Sequence, residues 1–446
     1  MLKQQDFRIT QLGEPTVRSP IGFSTVRGDG IVNFISDDVT IPYSLKSDGA
    51  PENRDLAFEC AGPRQMLYFR PEEVTAGIMT CGGLCPGLND AIRSIVMHLF
   101  YKYGVSRIIG IPFGQKGLDP SFGAEPVQLS PQMVKDIHLQ GGSALGTSRG
   151  AVDPEVMVDS LERRGINVLF CLGGDGTQKG LHRIFEVISR RRLRIAAVGV
   201  PKTIDNDISY VYRTFGVDTA VTIAREAVRC AHFEAVSAYN AIGLVKVMGR
   251  QSGFIAGFTA IAANDVNLCL IPEIPFALEG KCGVLQMLKE RLTQRHHAVI
   301  VVAEGAGQEL MENEQRAATY DASGNIRLGD VGFFLKNKII EYFKKDKIPI
   351  DVKYIDPSYM IRSVPANADD SMFAAALGRR AVDAAMAGKT DLLVGYWHSY
   401  FTHVPLPLAI SKRKRVDPEG DLWREVLSTT GQPMTLTEPG AATDNR

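Results

Sequence analysis

From Thr75 onward, the chain alternates short apolar runs with amphipathic stretches, and this alternation limits the folds that it can adopt. Apolar runs such as residues 168–172 and 195–200 have the length and continuity of strands that are buried on both faces of a sheet. Helical patterns lie between the runs, for example at residues 218–233 and 371–387. Strands that alternate with helices are typical of parallel sheets with crossover helices, so the sequence predicts an α/β architecture.

The number of predicted strands exceeds what one hydrophobic core normally holds. Nine runs are predicted strands, at residues 76–80, 107–111, 168–172, 195–200, 241–247, 268–271, 298–302, 352–355 and 392–394. Further predicted helices lie at residues 87–103, 253–264 and 284–294. Because single cores stop growing near about 250–300 residues, we expect two Rossmann-like lobes with parallel sheets and flanking helices. The expected divisions are a strand-rich N-terminal extension at 1–71, a first lobe at 72–216 to which 361–405 return, a second lobe at 217–360, and a C-terminal helix and tail at 406–446.

The charge balance and the apolar content narrow the classes of partner. Lys plus Arg and Asp plus Glu number 50 each, which argues against a nucleic-acid or membrane-surface binder with a basic excess. No apolar segment is long enough to span a bilayer and no secretory signal opens the chain, so we expect a cytoplasmic protein. The 7 cysteines show no zinc-binding spacing and suit free thiols in a reducing compartment.

One predicted strand runs directly into the sequence Gly-Gly-Asp-Gly-Thr at residues 173–177. Glycine lets the backbone approach an anion closely, and the N–H groups of such a turn point inward at the anion. The Asp175 carboxylate offers the oxygen ligands that Mg²⁺ prefers. This element therefore predicts a site for a phosphoryl donor.

Two other turns have the composition of anion sites. Residues 80–89 form a glycine-rich turn with Pro86 at the start of a predicted helix, and the N–H groups of a helix start attract anions. Arg149 lies among the small residues of 141–150, where its planar guanidinium can reach phosphate oxygens without steric competition. Taken alone, the first segment is equally well explained as an ordinary turn, and the second is better explained as a flexible loop with a surface arginine.

A different kind of chemistry is indicated after the predicted strand at 195–200, in Pro-Lys-Thr-Ile-Asp-Asn-Asp at residues 201–207. Asp205 and Asp207 stand two positions apart, so their carboxylates can lie on one side of an extended segment. One carboxylate can take the proton of an attacking hydroxyl while the other orients the substrate or a metal-bound water. Both lie too far before the helix predicted near Asp218 to cap it, so the segment predicts acid–base chemistry at an acceptor.

Taken together and in this order, these elements resemble the ATP-type 6-phosphofructokinase family. Gly-Gly-Asp-Gly-Thr is shared with NAD kinases and diacylglycerol-type lipid kinases, but those families explain neither residues 201–207 nor Met-Gly-Arg at 248–250. Further matching segments are Val-Ala-Glu-Gly at 302–305 and Asp-Pro-Ser-Tyr-Met-Ile-Arg-Ser at 356–363. The resemblance runs from about residue 75 to about residue 400 and is closest in pattern to the plant and trypanosomatid branch.

The resemblance implies a glycolytic phosphotransferase that makes fructose 1,6-bisphosphate from fructose 6-phosphate and MgATP. It implies that the first lobe binds the nucleotide and that the second binds the sugar phosphate. Residues expected at the nucleotide phosphates are Gly82, Gly83, Arg149, Gly150, Gly174, Asp175, Gly176 and Thr177. Residues expected at the sugar phosphate are Thr203, Ile204, Asp205, Met248, Gly249, Arg250, Glu304, Tyr359, Met360, Ile361 and Arg362.

Within these sets, the resemblance implies specific catalytic roles. Asp205 is expected to be the general base for the sugar 1-hydroxyl, while Thr203 and Asp207 position the acceptor and the metal-bound phosphoryl group. Asp175 is expected to bind Mg²⁺, and Arg149 is expected to neutralise charge on the transferred group. Such in-line transfer depends mainly on positioning and on charge neutralisation.

The expected clamp on the sugar 6-phosphate departs from the pattern of the short bacterial relatives. Residues 239–242 lack the arginine that those relatives contribute across a subunit interface, and Tyr359 stands where a histidine is expected. Arg362 is the main expected contact to the 6-phosphate, and Lys353 is a second one, chosen by position alone. Members of the family assemble as homotetramers or dimers and are commonly allosteric, so we expect a homo-oligomer.

The choice of phosphoryl donor depends on two positions. In the pyrophosphate-using branch of the family, aspartate stands at the position of Gly176 and lysine at the position of Lys202. An aspartate at 176 would occupy and repel the α-phosphate, so Gly176 favours ATP, whereas Lys202 matches the pyrophosphate branch, in which the lysine would neutralise the pyrophosphate product. We expect ATP, because a steric and charge block excludes a ligand more decisively than an extra cation selects one. The alternatives are a pyrophosphate-dependent phosphofructokinase and a non-catalytic, sugar-phosphate-sensing subunit, which would be expected to lose Asp205, Asp175 or Arg149.

Overall fold

The computed structural model of the protein describes residues 2–45, 56–311 and 327–438. Within these residues the structure is an α/β fold, as the sequence predicts, and all nine predicted strands are present. None of the described helices is both long enough and apolar enough to cross a membrane. The end of the predicted C-terminal tail, at residues 439–446, lies outside the described residues.

The strands vary from two to seven residues. They are β1 (Thr10–Gln11), β2 (Val17–Arg18), β3 (Thr40–Pro42), β4 (Ala57–Cys60), β5 (Met66–Leu67), β6 (Thr75–Thr80), β7 (Arg107–Ile111), β8 (Val127–Gln128), β9 (Val168–Gly173), β10 (Ala196–Pro201), β11 (Ala241–Val247), β12 (Leu268–Leu270), β13 (His297–Ala303), β14 (Asp351–Ile355), β15 (Lys389–Thr390), β16 (Leu392–Trp397) and β17 (Tyr400–Pro405).

The α-helices lie mostly between the longer strands. They are α1 (Leu88–His98), α2 (Pro131–Val134), α3 (Pro154–Arg163), α4 (Asp175–Arg190), α5 (Val217–Ser237), α6 (Phe254–Ala263), α7 (Val284–Arg295), α8 (Val331–Lys345), α9 (Met360–Ser363), α10 (Ala368–Met386), α11 (Leu406–Ala409) and α12 (Asp421–Thr430). A π-helical turn, Leu99–Tyr103, continues α1. Short 3₁₀ helices are Gln4–Phe7, Pro71–Glu73, Gly114–Leu118, Pro120–Phe122, Ile137–Leu139 and Gln308–Met311.

The chain divides into two compact units, and each is assembled from separate stretches of sequence. The first unit comprises Met1–Ile204, Ile208–Gly216 and Ser363–Arg413, and the second comprises Asp205–Asp207, Val217–Arg362 and Lys414–Arg446.

The first unit is built on a nine-stranded sheet with the strand order β3-β4-β17-β16-β10-β9-β6-β7-β8. Its centre, from β16 to β7, is parallel. β9 is buried along its whole length, which explains why its sequence is an uninterrupted apolar run. Because β6, β9 and β10 are parallel neighbours in register, the turns that follow all three meet at one edge of the sheet.

The edges of this sheet are antiparallel, which the expectation of parallel sheets did not include. β17 folds back on β16 as a hairpin, and β4 and β3 of the N-terminal extension continue the sheet beyond β17. The hairpin turn consists of His398 and Ser399, with φ of 47° and 69°. Two-residue hairpins need such positive φ values and normally use glycine or asparagine. Because this turn contains neither residue, the sequence gives no recognisable hairpin signal, and β17 was not predicted.

The second unit contains a four-stranded sheet in the order β12-β13-β11-β14, and every strand pair in it is parallel. Its core includes buried side chains of β11, β13, α7 and α8. Val247 at the end of β11 is in register with Ala303 at the end of β13. The segments that follow these two residues therefore begin side by side at the carboxyl edge of the sheet.

Candidate active site

The predicted phosphoryl-donor element forms a sharp turn between β9 and α4. Gly174 precedes the helix and Asp175 is the first helical residue. A side chain at Gly173 would clash with Thr177, because an added Cβ would lie 2.3 Å from its side chain. By contrast, an added Cβ at Gly176 would meet no atom within 4 Å. The first turn of α4 thus has open space on the side-chain face of Gly176. Helix N-termini are places where backbone N–H groups bind phosphate.

The turn after β6 lies beside this helix start, within the first unit. Gly82 has φ of 82°, and an added Cβ there would lie 3.4 Å from Lys202 Nζ and 4.0 Å from Thr177 Oγ1. The almost fully buried Lys202 donates a hydrogen bond from its ammonium to the carbonyl of Gly83. The structure therefore brings together the Gly82–Gly83 turn, the helix start and Lys202, the predicted donor-specificity position, as the parallel register of β6, β9 and β10 requires.

The predicted arginine loop joins the same cluster through hydrogen bonds of its neighbours. Thr147 Oγ1 donates to the carbonyl of Gly82 at 2.6 Å, and the Gly82 N–H donates to the carbonyl of Ser148 at 3.1 Å. These bonds fix the backbone that leads to Arg149 and Gly150. Arg149 itself is exposed.

The carboxylate of Asp175, predicted to hold Mg²⁺, is paired with two cations of the first unit. Its Oδ2 lies 3.0 Å from Lys179 Nζ and 3.0 Å from Arg413 Nη2, and its side chain is only 8% exposed. Lys179 is one helical turn along α4. Arg413 is distant in sequence, and a backbone bridge with Ile208 fixes its position.

Sequence reasoning missed Arg413. The only local signal was the charge of residues 411–415, Ser-Lys-Arg-Lys-Arg, which is equally typical of an exposed segment. Nothing in the order of residues reveals that one of these cations reaches a carboxylate more than two hundred positions earlier.

The predicted donor site fits a Mg²⁺ ion that is held mainly through nucleotide oxygens. Among the described residues no group of three or more His, Cys, Asp or Glu side chains is arranged to hold a metal ion. Mg²⁺ does not need such a cage, because it commonly binds one or two carboxylates together with substrate phosphates and water. A single carboxylate, Asp175, at a helix start with open space beside Gly176 fits that coordination.

The predicted acid–base segment is divided between the two units, with Thr203 and Ile204 in the first and 205–207 in the second. In the second unit, Ser252 Oγ donates to the main-chain carbonyl of Asp205 at 2.9 Å. This bond holds the backbone of Asp205 without using its carboxylate. In the first unit, Thr214 Oγ1 donates to the carbonyl of Thr203 at 2.7 Å.

Lys414 is a second basic residue that sequence reasoning missed, and it accompanies Asp207 in the second unit. Its backbone N–H donates to the Asp207 carbonyl at 3.0 Å, and its ammonium lies 4.9 Å from the centre of the Phe254 ring. Burial lowers the pKa of Lys414 to about 7, and the nearby Asp207 carboxylate opposes this shift. A positive charge at this position is therefore costly unless an anion balances it.

The expected sugar-phosphate residues at the ends of β11 and β13 are brought together in the second unit. The Glu304 N–H donates to the carbonyl of Val247 at 2.9 Å, and the Gly305 N–H donates to the carbonyl of Gly249 at 3.2 Å. These bonds place Met-Gly-Arg at 248–250 beside Glu304. Burial raises the pKa of Glu304, and the charges of Arg250, Lys246 and Arg362 oppose the rise.

Lys246 is a further cation of this cluster that the sequence analysis did not select. Its Nζ lies 2.9 Å from Asp356 Oδ2 and 3.1 Å from Asp330 Oδ1, and these carboxylates outweigh burial and raise its pKa. Lys353, expected at the 6-phosphate by position alone, forms an ion pair with Asp351 at 2.8 Å.

The last predicted segment, at 359–362, combines an exposed and a buried part. Tyr359 is 74% exposed, and the Arg362 guanidinium lies 5.0 Å from the centre of its ring. Met360 is exposed, whereas Ile361 is fully buried. The Ile361 side chain thus fixes the segment in the core. Of Ile361, only the backbone can contact a ligand.

A family model, described as phosphofructokinase, matches residues 75–385. A protein of Borreliella burgdorferi named ATP-dependent 6-phosphofructokinase is 49% identical over 439 residues, covering 97% of this chain and 98% of that protein. An ATP-dependent 6-phosphofructokinase of Amycolatopsis methanolica is 43% identical over 97% of this chain and 96% of its own. A chloroplastic enzyme of Arabidopsis thaliana, ATP-dependent 6-phosphofructokinase 5, is 51% identical over 84% of this chain and 68% of its own.

The fold is also that of solved phosphofructokinases. A pyrophosphate-dependent phosphofructokinase from Marinobacter aquaeolei aligns with a TM-score of 0.65 and 20% identity, over 80% of this chain and 91% of that one. The phosphofructokinase of Saccharomyces cerevisiae aligns with a TM-score of 0.59 and 22% identity, over 80% of this chain and 48% of that one. At such identities the similarity establishes the fold alone. The matched family model and the near full-length relatives establish that this chain belongs to the phosphofructokinase family.

Proposed function

We propose that this protein is an ATP-dependent 6-phosphofructokinase, which transfers the γ-phosphoryl group of MgATP to the 1-hydroxyl of fructose 6-phosphate in glycolysis. Support comes from the near full-length relatives, which are named for this activity. The structural observation that carries the proposal is the open helix start at Gly176, next to Asp175, Lys202 and the Gly82–Gly83 turn.

The first unit supplies the groups for the donor. The N–H groups at the start of α4 and the Gly82–Gly83 turn bind phosphate oxygens, and Gly150 and Thr177 complete the cradle. Arg149 and Arg413 place guanidinium groups where negative charge develops on the transferred group. Asp175 would hold Mg²⁺ together with the nucleotide, and the ion would add to the neutralisation of charge.

The second unit supplies the groups for the acceptor. The Asp205 carboxylate accepts the proton of the sugar 1-hydroxyl as the oxygen attacks phosphorus, and the Ser252 bond to the Asp205 carbonyl holds this backbone in place. Arg250 and Arg362 bind the sugar phosphate, with Lys246 adding positive charge to the cluster. Glu304 accepts hydrogen bonds from sugar hydroxyls, and its partial burial limits competition from water.

Initial rates with fructose 6-phosphate and either ATP or pyrophosphate, each with and without Mg²⁺, test this function. We expect turnover with ATP that requires Mg²⁺, and little or none with pyrophosphate. Efficient turnover with pyrophosphate and none with ATP would replace the proposal by the pyrophosphate-dependent alternative. Sugar-phosphate binding without transfer from either donor would favour a non-catalytic sensing subunit.

We further propose a cytoplasmic homo-oligomer, a tetramer or a dimer, under allosteric control. The family resemblance supports the oligomer and its allosteric control. Light scattering of the purified protein over a concentration series measures the oligomeric state, and cell fractionation measures the location. A monomer at all concentrations contradicts the first expectation.

A further inference from the structure

Within the first unit, a pocket is lined by the N-terminal extension and the residues around the end of α10. Its volume is about 360 Å³, within the range of small-molecule sites. Residues lining it include Thr25, Phe34, Asp37, Arg64, Gln65 and Lys389. We call this cavity the N-terminal pocket. Its wall combines an aromatic ring, amide and hydroxyl groups and two cations, which is the composition of a site for a polar metabolite.

Two buried cations in this pocket share one exposed carboxylate. Arg64 Nε lies 2.6 Å and Lys389 Nζ 2.9 Å from Oδ1 of Asp37. The side chains of Arg64 and Lys389 are only 6% and 5% exposed, whereas that of Asp37 is 61% exposed. Asp37 can therefore turn outward and remain hydrated, whereas the two cations cannot follow it into water.

The charge balance of the cluster depends on Asp37. On the inner side, Glu59 Oε1 lies 2.6 Å from Arg64 Nη2, 2.8 Å from Lys389 Nζ and 2.8 Å from His403 Nδ1. Burial lowers the pKa of His403, so this imidazole is neutral at neutral pH. Two cations thus face two carboxylates. If Asp37 turns outward, one buried positive charge is left without compensation, and an anion from solution can supply it.

We propose that the N-terminal pocket is a regulatory site for a small organic anion, whose carboxylate or phosphate group replaces the Asp37 carboxylate on Arg64 and Lys389. Asp37 acts as an internal competitor that fills the site when the anion is absent. The planar guanidinium and the ammonium together suit an oxyanion with two or more oxygens. The remaining volume accepts the rest of the molecule against Phe34, Thr25 and Gln65.

A short strand connects this pocket to the proposed donor site, all within the first unit. Lys389 is followed by Thr390, whose Oγ1 accepts a hydrogen bond from the Ala197 N–H at 3.0 Å in β10. Asp391 comes next, and its Oδ1 lies 2.8 Å from His182 Nδ1 on α4, the helix that begins at Asp175. A shift of Lys389 on anion binding would act on β10, which leads to Lys202, and on α4. The effect on the donor site rests on the proposed function, whereas the binding does not.

Binding is tested on the full-length protein with three probes, namely inorganic phosphate, glycerol 3-phosphate and succinate. Calorimetry and the anion-induced rise in Tm are measured for the wild type, Asp37→Ala and the control Asp38→Ala. Removing the competitor is expected to tighten binding of the favoured anion by about tenfold or more in Asp37→Ala, with no change in Asp38→Ala. The probe that gains most identifies phosphate or carboxylate as the head group. Equal affinity in all three proteins for every probe overturns the proposal.

The double variant Asp37→Ala/Lys389→Met tests whether the tighter anion binding arises in this pocket or at the donor site. We expect the double variant to lose the tenfold gain in affinity, because the pocket then lacks one of its two cations. If the double variant does not fold, the comparison of Asp37→Ala with Asp38→Ala still decides. Coupling between the two sites is measured as the effect of the favoured anion on the KM for MgATP. We expect a change of at least about twofold, and we expect Asp37→Ala to show it at a lower anion concentration than the wild type does. Tight binding with no change in any kinetic constant overturns the regulatory part. Failure of the proposed kinase function would instead appear as absent turnover with anion binding intact.

Discussion

The guanidinium of Arg413 forms a salt bridge with the carboxylate of Asp175, with Nη2 at 3.0 Å and Nε at 3.2 Å from the same oxygen, Oδ2. Asp175 is the proposed Mg²⁺ ligand, so Arg413 lies where donor phosphates carry their charge. We predict that Arg413→Ala lowers kcat by about 100-fold, because a cation directed at developing charge is lost. Arg413→Lys should recover part of the rate. The exposed neighbour provides the control Lys412→Ala, and equal kcat in the two alanine variants contradicts the prediction.

Gly176 is predicted to determine whether ATP is accepted. The space beside its Cα is open, so Gly176→Ala should leave the KM for ATP within about threefold of the wild-type value. Gly176→Asp adds a carboxylate to the same space and should raise the KM for ATP or lower kcat by about 100-fold, through repulsion of phosphate. Comparing the alanine and aspartate variants separates the effect of added charge from the effect of added volume. The measurement is an ATP titration at saturating fructose 6-phosphate, and an unchanged ATP KM and kcat in Gly176→Asp would show that the charge argument is wrong.

Lys414 is predicted to make stability depend on pH. Its pKa is about 7 in the folded protein and near the ordinary 10.5 in the unfolded chain. Between these values only the unfolded chain binds the proton, so the free energy of unfolding rises with pH, by up to about 1.4 kcal/mol per unit. The destabilisation is complete below pH 7 and absent above pH 10.5.

Replacing the amine removes this dependence. Lys414→Met should be more stable than the wild type near neutral pH, and the difference should shrink as the pH rises toward about 9.5. Urea unfolding at several pH values measures it, with Lys412→Met as the exposed control. A stability difference that does not vary with pH would argue against the low pKa. Activity of Lys414→Met should fall, since its partner Asp207 is placed in the catalytic segment.

Glu304 is predicted to act on the acceptor and not on the donor. It is close enough to Arg250 and Arg362 for their charges to oppose the rise in its pKa. Glu304→Gln should therefore raise the KM for fructose 6-phosphate by about tenfold and leave the KM for ATP unchanged. Glu309→Gln, at an exposed position, is the matched control. Equal effects on the two KM values would assign Glu304 to general stability instead.

The sequence predicted the parts of the fold and site that local patterns determine. The apolar runs that became β6, β9 and β10 were recognisable because buried parallel strands have continuous hydrophobic sequences. The glycine-rich turns after β6 and β9 were recognisable because close approach of backbone and ligand needs glycine. Their meeting at one edge follows from parallel topology alone.

The residues that were missed depend on contacts between distant parts of the chain. Arg413 reaches Asp175 only because a bridge to Ile208 fixes the backbone, and no local pattern encodes that bridge. Lys389 and Arg64 are ordinary basic residues in sequence, and only folding brings both to Asp37. β17 was missed because its turn, His398 and Ser399, lacks the usual hairpin residues.

The most direct test of the proposed chemistry is the initial rate of Asp205→Asn with fructose 6-phosphate and MgATP. The substitution keeps the shape of the side chain and leaves the Ser252 bond to the Asp205 carbonyl intact. We predict that kcat falls by about 100-fold to 10,000-fold, as expected for loss of a general base, while the affinity for fructose 6-phosphate stays within about threefold of wild type. A kcat within about threefold of the wild-type value would contradict the assignment of Asp205 as the base.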